Sequence, residues 1–189
     1  MPRPPILPAI DWPTIVTFAV QYEDWLEAAE SSDQAQAINE ALIAQQLEPQ
    51  EEALLQNLAR SVQVVAFAED WCGDVVRHVP VLQALADSTN NLSVRYVTRE
   101  QHPDVFARFL TNGGEAVPKF VFLSENFVEC GHWGPMPDDC RRLIARGKAC
   151  GDVPTARKLV AARYAADPGK REVVREILAL VEIAAAVAP

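Results

Sequence analysis

The chain has 189 residues, of which 49% are hydrophobic, and a formal net charge of −9 at pH 7. The length is typical of one domain with appendages, and the apolar fraction is sufficient for a core. The acidic balance argues against nucleic acids and anionic membranes as partners. No segment resembles a secretory signal or a membrane span, so we expect a cytoplasmic protein.

The N-terminal part, residues 1–60, is predicted to be a helical extension. Residues 1–10 are rich in proline and are predicted to be extended. Asp11 is a candidate N-cap for a first helix, with Pro13 in its first turn. An apolar stripe at helical spacing then runs along this helix through Ile15, Phe18, Tyr22, Trp25 and Leu26. Residues 31–33 and Pro49 are predicted to begin two further helices.

The strongest pattern in the chain lies in residues 61–82. Residues 62–68 form an apolar, β-branched run that predicts a strand buried on both faces. After an acidic turn, apolar residues recur at helical spacing from Val75 onward. Cys72 is therefore predicted between the end of a central strand and the start of a helix. Ligand binding and catalysis are often located at this edge of an α/β sheet.

The predicted position of Cys72 favours a reactive thiol. The first turn of a helix has unpaired N–H groups and a partial positive charge, both of which favour a thiolate. Trp71, Gly73 and Asp74 would give the thiol a polar, open surround that a core cysteine does not need. The negative charge of Asp74, like that of the acidic turn before it, opposes thiolate formation. Cys72 is the candidate nucleophile.

The remaining elements alternate between strands and helices. Residues 92–97 predict a second buried strand, and residues 119–123 and 127–132 predict a hairpin. Pro103 begins a short helix. Asp138 or Asp139 is expected to cap a helix that reaches Arg146 and is stopped by Gly147. Residues 154–166 and 170–186 predict two more helices in a C-terminal part that covers residues 151–189.

Several of these features resemble thioredoxins, whose motif is Trp-Cys-Gly-Pro-Cys. Trp71-Cys72-Gly73 follows a buried strand, and Pro80 matches the proline in the thioredoxin active-site helix. Val117-Pro118 is similar to the cis-proline loop, and Trp133-Gly134 to the site of a glycine beside the active centre. More narrowly, the sequence resembles a bacterial thioredoxin-like group with the motif Asp-Trp-Cys-x-Asp-Cys and extra helices at both ends.

The resemblance covers roughly residues 60–150 and implies an α/β, thioredoxin-like fold. The expected core, residues 61–150, is a central mixed β-sheet flanked by helices. Extra N-terminal and C-terminal helices would pack on it to give a single globular unit.

The sequence also departs from the thioredoxin pattern at three places. Val75 stands where the second cysteine of the motif would be. Ala66 stands where thioredoxins have a buried aspartate, and no lysine lies near Tyr96 to pair with such a group. The resolving thiol and the buried proton relay are both missing. The resemblance therefore implies a degenerate, monothiol site.

The resemblance also implies the residues around the thiol. Pro118 would follow a cis peptide bond, and the backbone beside it would pair with an extended substrate by strand addition. The expected substrate-binding residues are Trp71, Gly73, Asp74, Val117, Pro118, Trp133 and Gly134, although Trp133 is equally compatible with a core position. His78, on the active-site helix, is expected to be exposed.

The other cysteines offer one candidate resolving thiol. Cys130 lies four strand residues before Gly134, roughly 13 Å along the strand, which is too far for a disulfide without motion. Cys140, in the first turn of its helix, is the better candidate. A zinc site built from Cys130, His132 and Cys140 is disfavoured, and we expect no metal.

Two functions remain open from the sequence. The first is a thiol–disulfide oxidoreductase in which Cys72 reacts with a disulfide-containing protein or a small thiol. Glutathione would be a possible resolving thiol, and no other cofactor is expected. The alternative is a non-catalytic binding or scaffold module, motivated by Val75 and Ala66. That module would use the groove at Trp71, Val117 and Trp133, or the terminal helices as a partner or homodimer face.

Overall fold

The computed structural model describes residues 7–188 of the chain. The predicted extended conformation of residues 1–10 therefore lies largely outside the described residues. The strands are β1 (Val62–Phe67), β2 (Leu92–Val97), β3 (Lys119–Leu123) and β4 (Glu129–Trp133). The helices are α1 (Trp12–Phe18), α2 (Tyr22–Glu27), α3 (Ser32–Ile43), α4 (Pro49–Gln56), α5 (Gly73–Asp87), α6 (Pro103–Phe106), α7 (Asp138–Cys150), α8 (Val153–Ala166) and α9 (Arg171–Ala184). A short 3-10 helix, Ala107–Phe109, follows α6.

The four strands form one mixed sheet in the order β2-β1-β3-β4, which confirms the predicted α/β class. β1 pairs in parallel with β2, with Val62 opposite Leu92, and in antiparallel fashion with β3. β3 and β4 form the predicted antiparallel hairpin. β1 is central and almost wholly buried because helices cover both faces of the sheet, as its continuous apolar run requires.

The single N-terminal helix predicted from the aromatic stripe is wrong, because the structure divides this segment into α1 and α2. The break occurs at Val20, whose backbone N–H and carbonyl pair with those of Tyr96 on the outer edge of β2. This pairing partly covers an edge strand that would otherwise present unpaired backbone groups. It also changes the direction of the chain, so that Phe18 is 80% exposed and lies outside the core.

The N-terminal helices are attached to the end of β1, close to the predicted functional edge. The indole N–H of Trp25 donates a 3.3 Å hydrogen bond to the carbonyl of Ala68. The buried carboxylate of Asp70 accepts hydrogen bonds from the backbone N–H groups of Glu30 and Ser31, at 2.9 and 3.3 Å. These contacts connect the loop between α2 and α3 directly to the segment that precedes Cys72.

The predicted stop of α7 at Gly147 is also wrong. The helix continues through Gly147 to Cys150 and ends at Gly151, which adopts a left-handed conformation with φ of 76°. Gly147 serves packing instead, because a Cβ placed there would lie 2.5 Å from the Cβ of Ala156 in α8. The absence of a side chain allows α7 and α8 to approach closely.

The C-terminal helices share the core of the sheet. α9 packs against α5, β3 and β4, and it contributes Val174, Ile177 and Val181 to the same buried cluster as Val64 and Phe120. Within residues 7–188, no helix has the length and apolar character needed to cross a membrane.

Candidate active site

Cys72 is the N-cap residue of α5, as the sequence predicts. Its backbone carbonyl accepts hydrogen bonds from the N–H groups of Val75 and Val76, at 2.9 and 3.0 Å. The residue is partly buried and forms no disulfide. Gly73, at the first position of the helix, is exposed, and a Cβ added there would meet nothing within 4 Å. The thiol therefore lies at the positive end of a 15-residue helix.

The structure brings Cys72 and the proline loop together. The Cys72 thiol donates a 3.4 Å hydrogen bond to the carbonyl oxygen of Val117. The Val117–Pro118 peptide bond is cis, as the resemblance implies. The side chains of Val117 and Pro118 are both buried, so this loop meets the thiol through its backbone. Within residues 7–188 the Val117 N–H donates no hydrogen bond.

Trp71 is the most exposed large side chain beside the thiol, with 49% of its surface accessible. Its backbone carbonyl accepts a 3.3 Å hydrogen bond from the side-chain amide of Gln34. The guanidinium carbon of Arg99 lies 5.5 Å from the centre of the indole ring, within the range of a cation–π contact. The first contact fixes the backbone of Trp71, and the second holds its indole at the surface.

Trp133, in contrast, is a core residue. Only 2% of its surface is accessible, and its ring stacks on Phe120 at a centroid distance of 5.3 Å. Its indole N–H donates a 2.6 Å hydrogen bond to the carboxylate of Glu176, which also accepts from the backbone N–H of Asp138. The ring therefore does not line an open groove. Trp133 occupies the core position that the sequence analysis gave as the alternative.

Gly134 is required for the close approach of the end of β4 to the proline loop. Its φ of 112° is rarely adopted by residues with side chains. A Cβ at this position would lie 2.1 Å from the carbonyl oxygen of Pro118. Gly134 and Pro118 thus lie side by side, as the resemblance implies, through backbone contact.

The expectation that His78 is exposed is wrong, because α8 covers this face of α5. The accessible fraction of His78 is 0%, and its ring contacts those of Trp133 and Tyr164 edge-on. Its Nε2 lies 3.1 Å from the hydroxyl of Tyr164, which donates a 3.0 Å hydrogen bond to the carboxylate of Asp74. The Tyr164 hydroxyl thus connects Asp74 and His78, and the Nε2 of His78 also lies 3.9 Å from the Asp74 carboxylate.

The protonation states of this network follow from its geometry. Burial lowers the pKa of His78 to about 3, so the imidazole is neutral at pH 7. While Tyr164 donates to an ionised Asp74, the Nε2 of His78 must be the N–H that donates to Tyr164. This tautomer leaves the buried Nδ1, which has no partner within residues 7–188, as an unprotonated acceptor.

Asp74 is a carboxyl group whose charge is poorly solvated. Burial raises its pKa, while the hydrogen bond from Tyr164 and the charge of Arg77 act in the opposite direction. Burial likewise raises the pKa of Glu69, against a hydrogen bond from the backbone of Arg99. The two acidic groups that flank Cys72 in the sequence are therefore easier to protonate than exposed carboxyl groups.

Cys140 is buried, with 3% of its surface accessible, and burial raises the pKa of its thiol. It lines a cavity of about 380 Å³ together with Arg77, Arg163 and Tyr164. Cys130 donates a 3.2 Å hydrogen bond to the carbonyl of Val128. Within residues 7–188, no group of three or more His, Cys, Asp or Glu residues is arranged to hold a metal ion.

Three residues of this region carry no functional signal in the sequence: Tyr164, Glu176 and Lys119. Tyr164 and Glu176 occur in helices outside the recognised motif, and their spacing only marks helical faces. Lys119 opens a strand next to Pro118, yet its accessible fraction is 3%. Only the packing of distant elements gives these polar groups their partners.

Comparison with known proteins agrees with this architecture. A thioredoxin family model matches residues 20–152. The chain is similar to the crystal structure of a Pseudomonas aeruginosa protein of unknown function, with a TM-score of 0.69 and 15% identity over 92% of this chain and 98% of that one. It is also similar to the crystal structure of an HIV epitope-scaffold, with a TM-score of 0.67 and 15% identity over 90% and 97%. No curated protein matches the sequence. At such identities the two structures report on the fold alone.

Proposed function

The chain belongs to the thioredoxin family, and from this premise we propose that it carries out thiol–disulfide exchange with the single thiol of Cys72. The observation that carries the proposal is the 3.4 Å contact between the Cys72 thiol and the carbonyl oxygen of Val117, the residue before the cis-proline. A nucleophile beside an extended backbone segment can receive a disulfide presented on another extended chain.

The proposed cycle has two exchange steps. In the first, the Cys72 thiolate attacks one sulfur of a mixed disulfide between a protein and a small thiol. A bond forms between Cys72 and the small thiol, the original disulfide breaks, and the protein leaves as a thiolate. In the second, another small thiol such as glutathione gives up its proton and attacks that sulfur. Cys72 is released as a thiolate and the small thiol leaves as its own disulfide.

An external thiol is needed because the usual internal one is absent. Val75 occupies the position of the second cysteine in the motif and has an accessible fraction of 0%. Cys140 is an alternative resolving thiol within the chain. Its burial and raised pKa both slow attack, since attack requires an accessible thiolate.

Asp74 is proposed to assist the proton movements at Cys72. Ala66 leaves no buried carboxyl group at the position where thioredoxins have one, whereas Asp74 is a partly buried carboxyl group only two residues from the thiol. Burial raises the pKa of this carboxyl group, which makes it a stronger proton acceptor than an exposed aspartate. Tyr164 holds this carboxylate by a hydrogen bond and acts as a positioning residue.

The test is a turnover assay with a glutathionylated peptide and excess glutathione. We expect wild type and Cys150→Ser to release peptide thiol catalytically and Cys72→Ser to be inactive. Cys150 is the matched control because its thiol is exposed. Mass spectrometry of the quenched reaction should find glutathione on Cys72. Equal turnover by Cys72→Ser and wild type would refute the proposal.

Cys140→Ser tests the resolving thiol in the same assay. An external resolving thiol predicts unchanged turnover in Cys140→Ser, with a rate that depends on the glutathione concentration. A loss of turnover in this variant, together with a disulfide between Cys72 and Cys140 in the wild type, would instead assign the resolving step to the chain itself.

A non-catalytic binding module is the second candidate, and the burial of apolar side chains at both missing positions favours it. Ala66 and Val75 each have an accessible fraction of 0%. The positions of the missing aspartate and the missing second cysteine are therefore filled by packed apolar side chains. A binding module would retain its partners in Cys72→Ser and show no turnover in the wild type. Comparing pull-downs from wild type and Cys72→Ser, beside the turnover assay, distinguishes the two functions.

A further inference from the structure

A second concave site lies beside the start of β3, on side chains that the redox proposal does not use. It has a volume of about 360 Å³. Among its described lining residues, four side chains can carry positive charge and none can carry negative charge: Lys119, His132, Arg141 and Arg142. This concentration of basic groups contrasts with a net charge of −9 for the whole chain.

Lys119 is the least compensated of these groups. Its accessible fraction is 3%, and its ammonium donates a 2.7 Å hydrogen bond to the carbonyl of Gly134. An ammonium has three N–H donors, and within residues 7–188 no carboxylate forms an ion pair with this one. Burying a charge without a counter-ion is strongly unfavourable. Burial and the charge of Arg141 lower the pKa of Lys119 to about 8, so the ammonium still predominates at pH 7.

The two arginines share one carboxylate. Asp138 lies 3.2 Å from the guanidinium of Arg141 and 2.6 Å from that of Arg142. Burial lowers the pKa of His132, so its imidazole is neutral at pH 7 and can donate one hydrogen bond. Three cations against one carboxylate leave about two uncompensated positive charges around the cavity at neutral pH.

A hydroxyl group of one lining residue is also without a partner. The Oγ1 of Thr111 is buried and has no hydrogen-bond partner within residues 7–188. Buried polar atoms are nearly always hydrogen-bonded, to protein or to another molecule. An acceptor in the cavity would satisfy the remaining donors of Lys119.

We propose that this cavity binds a phosphate group, with the ammonium of Lys119 as its main anchor. The two uncompensated positive charges match a phosphate dianion, and guanidinium groups are well suited to phosphate oxygens. The volume of about 360 Å³ falls in the range of small-molecule sites, so the ligand can be free phosphate or a phosphate monoester.

The site adjoins the proline loop without being part of the thiol site. Lys119 follows Pro118, but side chains alternate along a strand, so Lys119 and Phe120 lie on opposite faces of the sheet. Phe120 stacks on Trp133 on the side of α5, whereas His132 contacts Phe109. Phosphate binding is therefore independent of the chemistry of Cys72, and it can be measured in Cys72→Ser protein.

The experiment is a titration of full-length Cys72→Ser protein with inorganic phosphate at constant ionic strength in a phosphate-free buffer. Amide chemical shifts and calorimetry report binding. We expect saturable binding, with shifts centred on residues 110–112, 119 and 132–134. Lys119→Met should weaken the affinity about tenfold or more, because a charge-assisted hydrogen bond is lost. Arg60→Gln is the matched control, since Arg60 pairs with Glu125 and does not line the cavity.

Stability measurements keep the test valid if Lys119 matters for folding. Without phosphate, Lys119→Met should be as stable as its parent or more stable, because an unpaired buried charge is removed. Should this variant fail to fold, the exposed Arg142 provides a second test, and Arg142→Gln should also weaken phosphate binding. Unsaturable shifts, or equal affinity in the parent and both variants, would overturn the proposal.

A parallel titration with glycerol phosphate distinguishes the two sources of the phosphate group. Tighter binding than inorganic phosphate identifies a monoester site, and equal binding identifies a site for the phosphate group alone.

Discussion

The hydroxyl of Tyr164 lies 3.0 Å from the carboxylate of Asp74, a residue 90 positions earlier in the chain. Tyr164 belongs to α8, beyond residues 20–152 that match the family model, whereas Asp74 is in the first turn of the active-site helix. The same hydroxyl contacts the Nε2 of His78 at 3.1 Å. The C-terminal helices thus supply a polar partner to the candidate active site in addition to apolar packing.

Replacing Tyr164 should change the titration of Asp74. The hydrogen bond from Tyr164 lowers the pKa of this carboxyl group, against the effect of burial, so Tyr164→Phe should raise that pKa further. The free energy of unfolding at pH 7 should fall by about 1–3 kcal/mol, because a partly buried carboxylate loses a donor. NMR titration of the Asp74 carboxyl carbon and urea unfolding measure the two effects. As the control, Tyr164→Phe should lower the free energy of unfolding by less in an Asp74→Asn background. An unchanged Asp74 pKa in Tyr164→Phe would contradict the hydrogen bond between the two residues.

His78 should make the protein sensitive to mild acid. Its pKa is lowered from 6.5 to about 3 by burial, so the unfolded chain binds the proton first as the pH falls. The resulting stabilisation is complete above pH 6.5 and is lost progressively towards pH 3, with a loss of about 2 kcal/mol by pH 5. Urea unfolding of wild type and His78→Leu at pH 7 and pH 5 tests this. Between pH 7 and pH 5 the free energy of unfolding of the wild type should fall by about 2 kcal/mol more than that of His78→Leu. Equal losses in the two proteins would rule out a buried neutral imidazole.

Asp70 should hold the N-terminal helices to the segment before Cys72. Its carboxylate accepts hydrogen bonds from the backbone of Glu30 and Ser31, so Asp70→Ala should lower the free energy of unfolding by about 1.5–3 kcal/mol. Limited proteolysis of this variant should cleave first between α2 and α3. Asp24→Ala removes an exposed carboxylate of α2 and serves as the control. Identical cleavage patterns in the two variants would argue against the proposed attachment.

Gly147 should not tolerate a side chain, although it lies within a helix where alanine is usually favoured. A Cβ would lie 2.5 Å from the Cβ of Ala156 and 3.0 Å from the carbonyl oxygen of Asp152. Gly147→Ala should therefore destabilise the protein by about 1–3 kcal/mol, the usual cost of overpacking. Gly73→Ala meets nothing within 4 Å and should have little effect on the unfolding midpoint. Equal midpoints for the two variants would show that α7 and α8 can move apart at little cost.

The sequence by itself determined the sheet, the position of the thiol and the proline loop. The apolar run of β1, the helical spacing after Cys72 and the hairpin at residues 124–126 are local patterns, and local backbone preferences are enough to specify such elements. Cys72 and Val117 could be placed together because each belongs to a motif with a known position in the fold.

Only the tertiary structure decided which distant polar groups meet. The burial of His78, the bond from Tyr164 to Asp74 and the unpaired ammonium of Lys119 depend on how α7, α8 and β4 pack against the rest. The same holds for the break at Val20 and the helical position of Gly147. A helical or strand pattern states which face is apolar, but the environment of a polar side chain is set by elements far away in the sequence. Burial, and with it pKa and charge compensation, is therefore a property of the assembled fold.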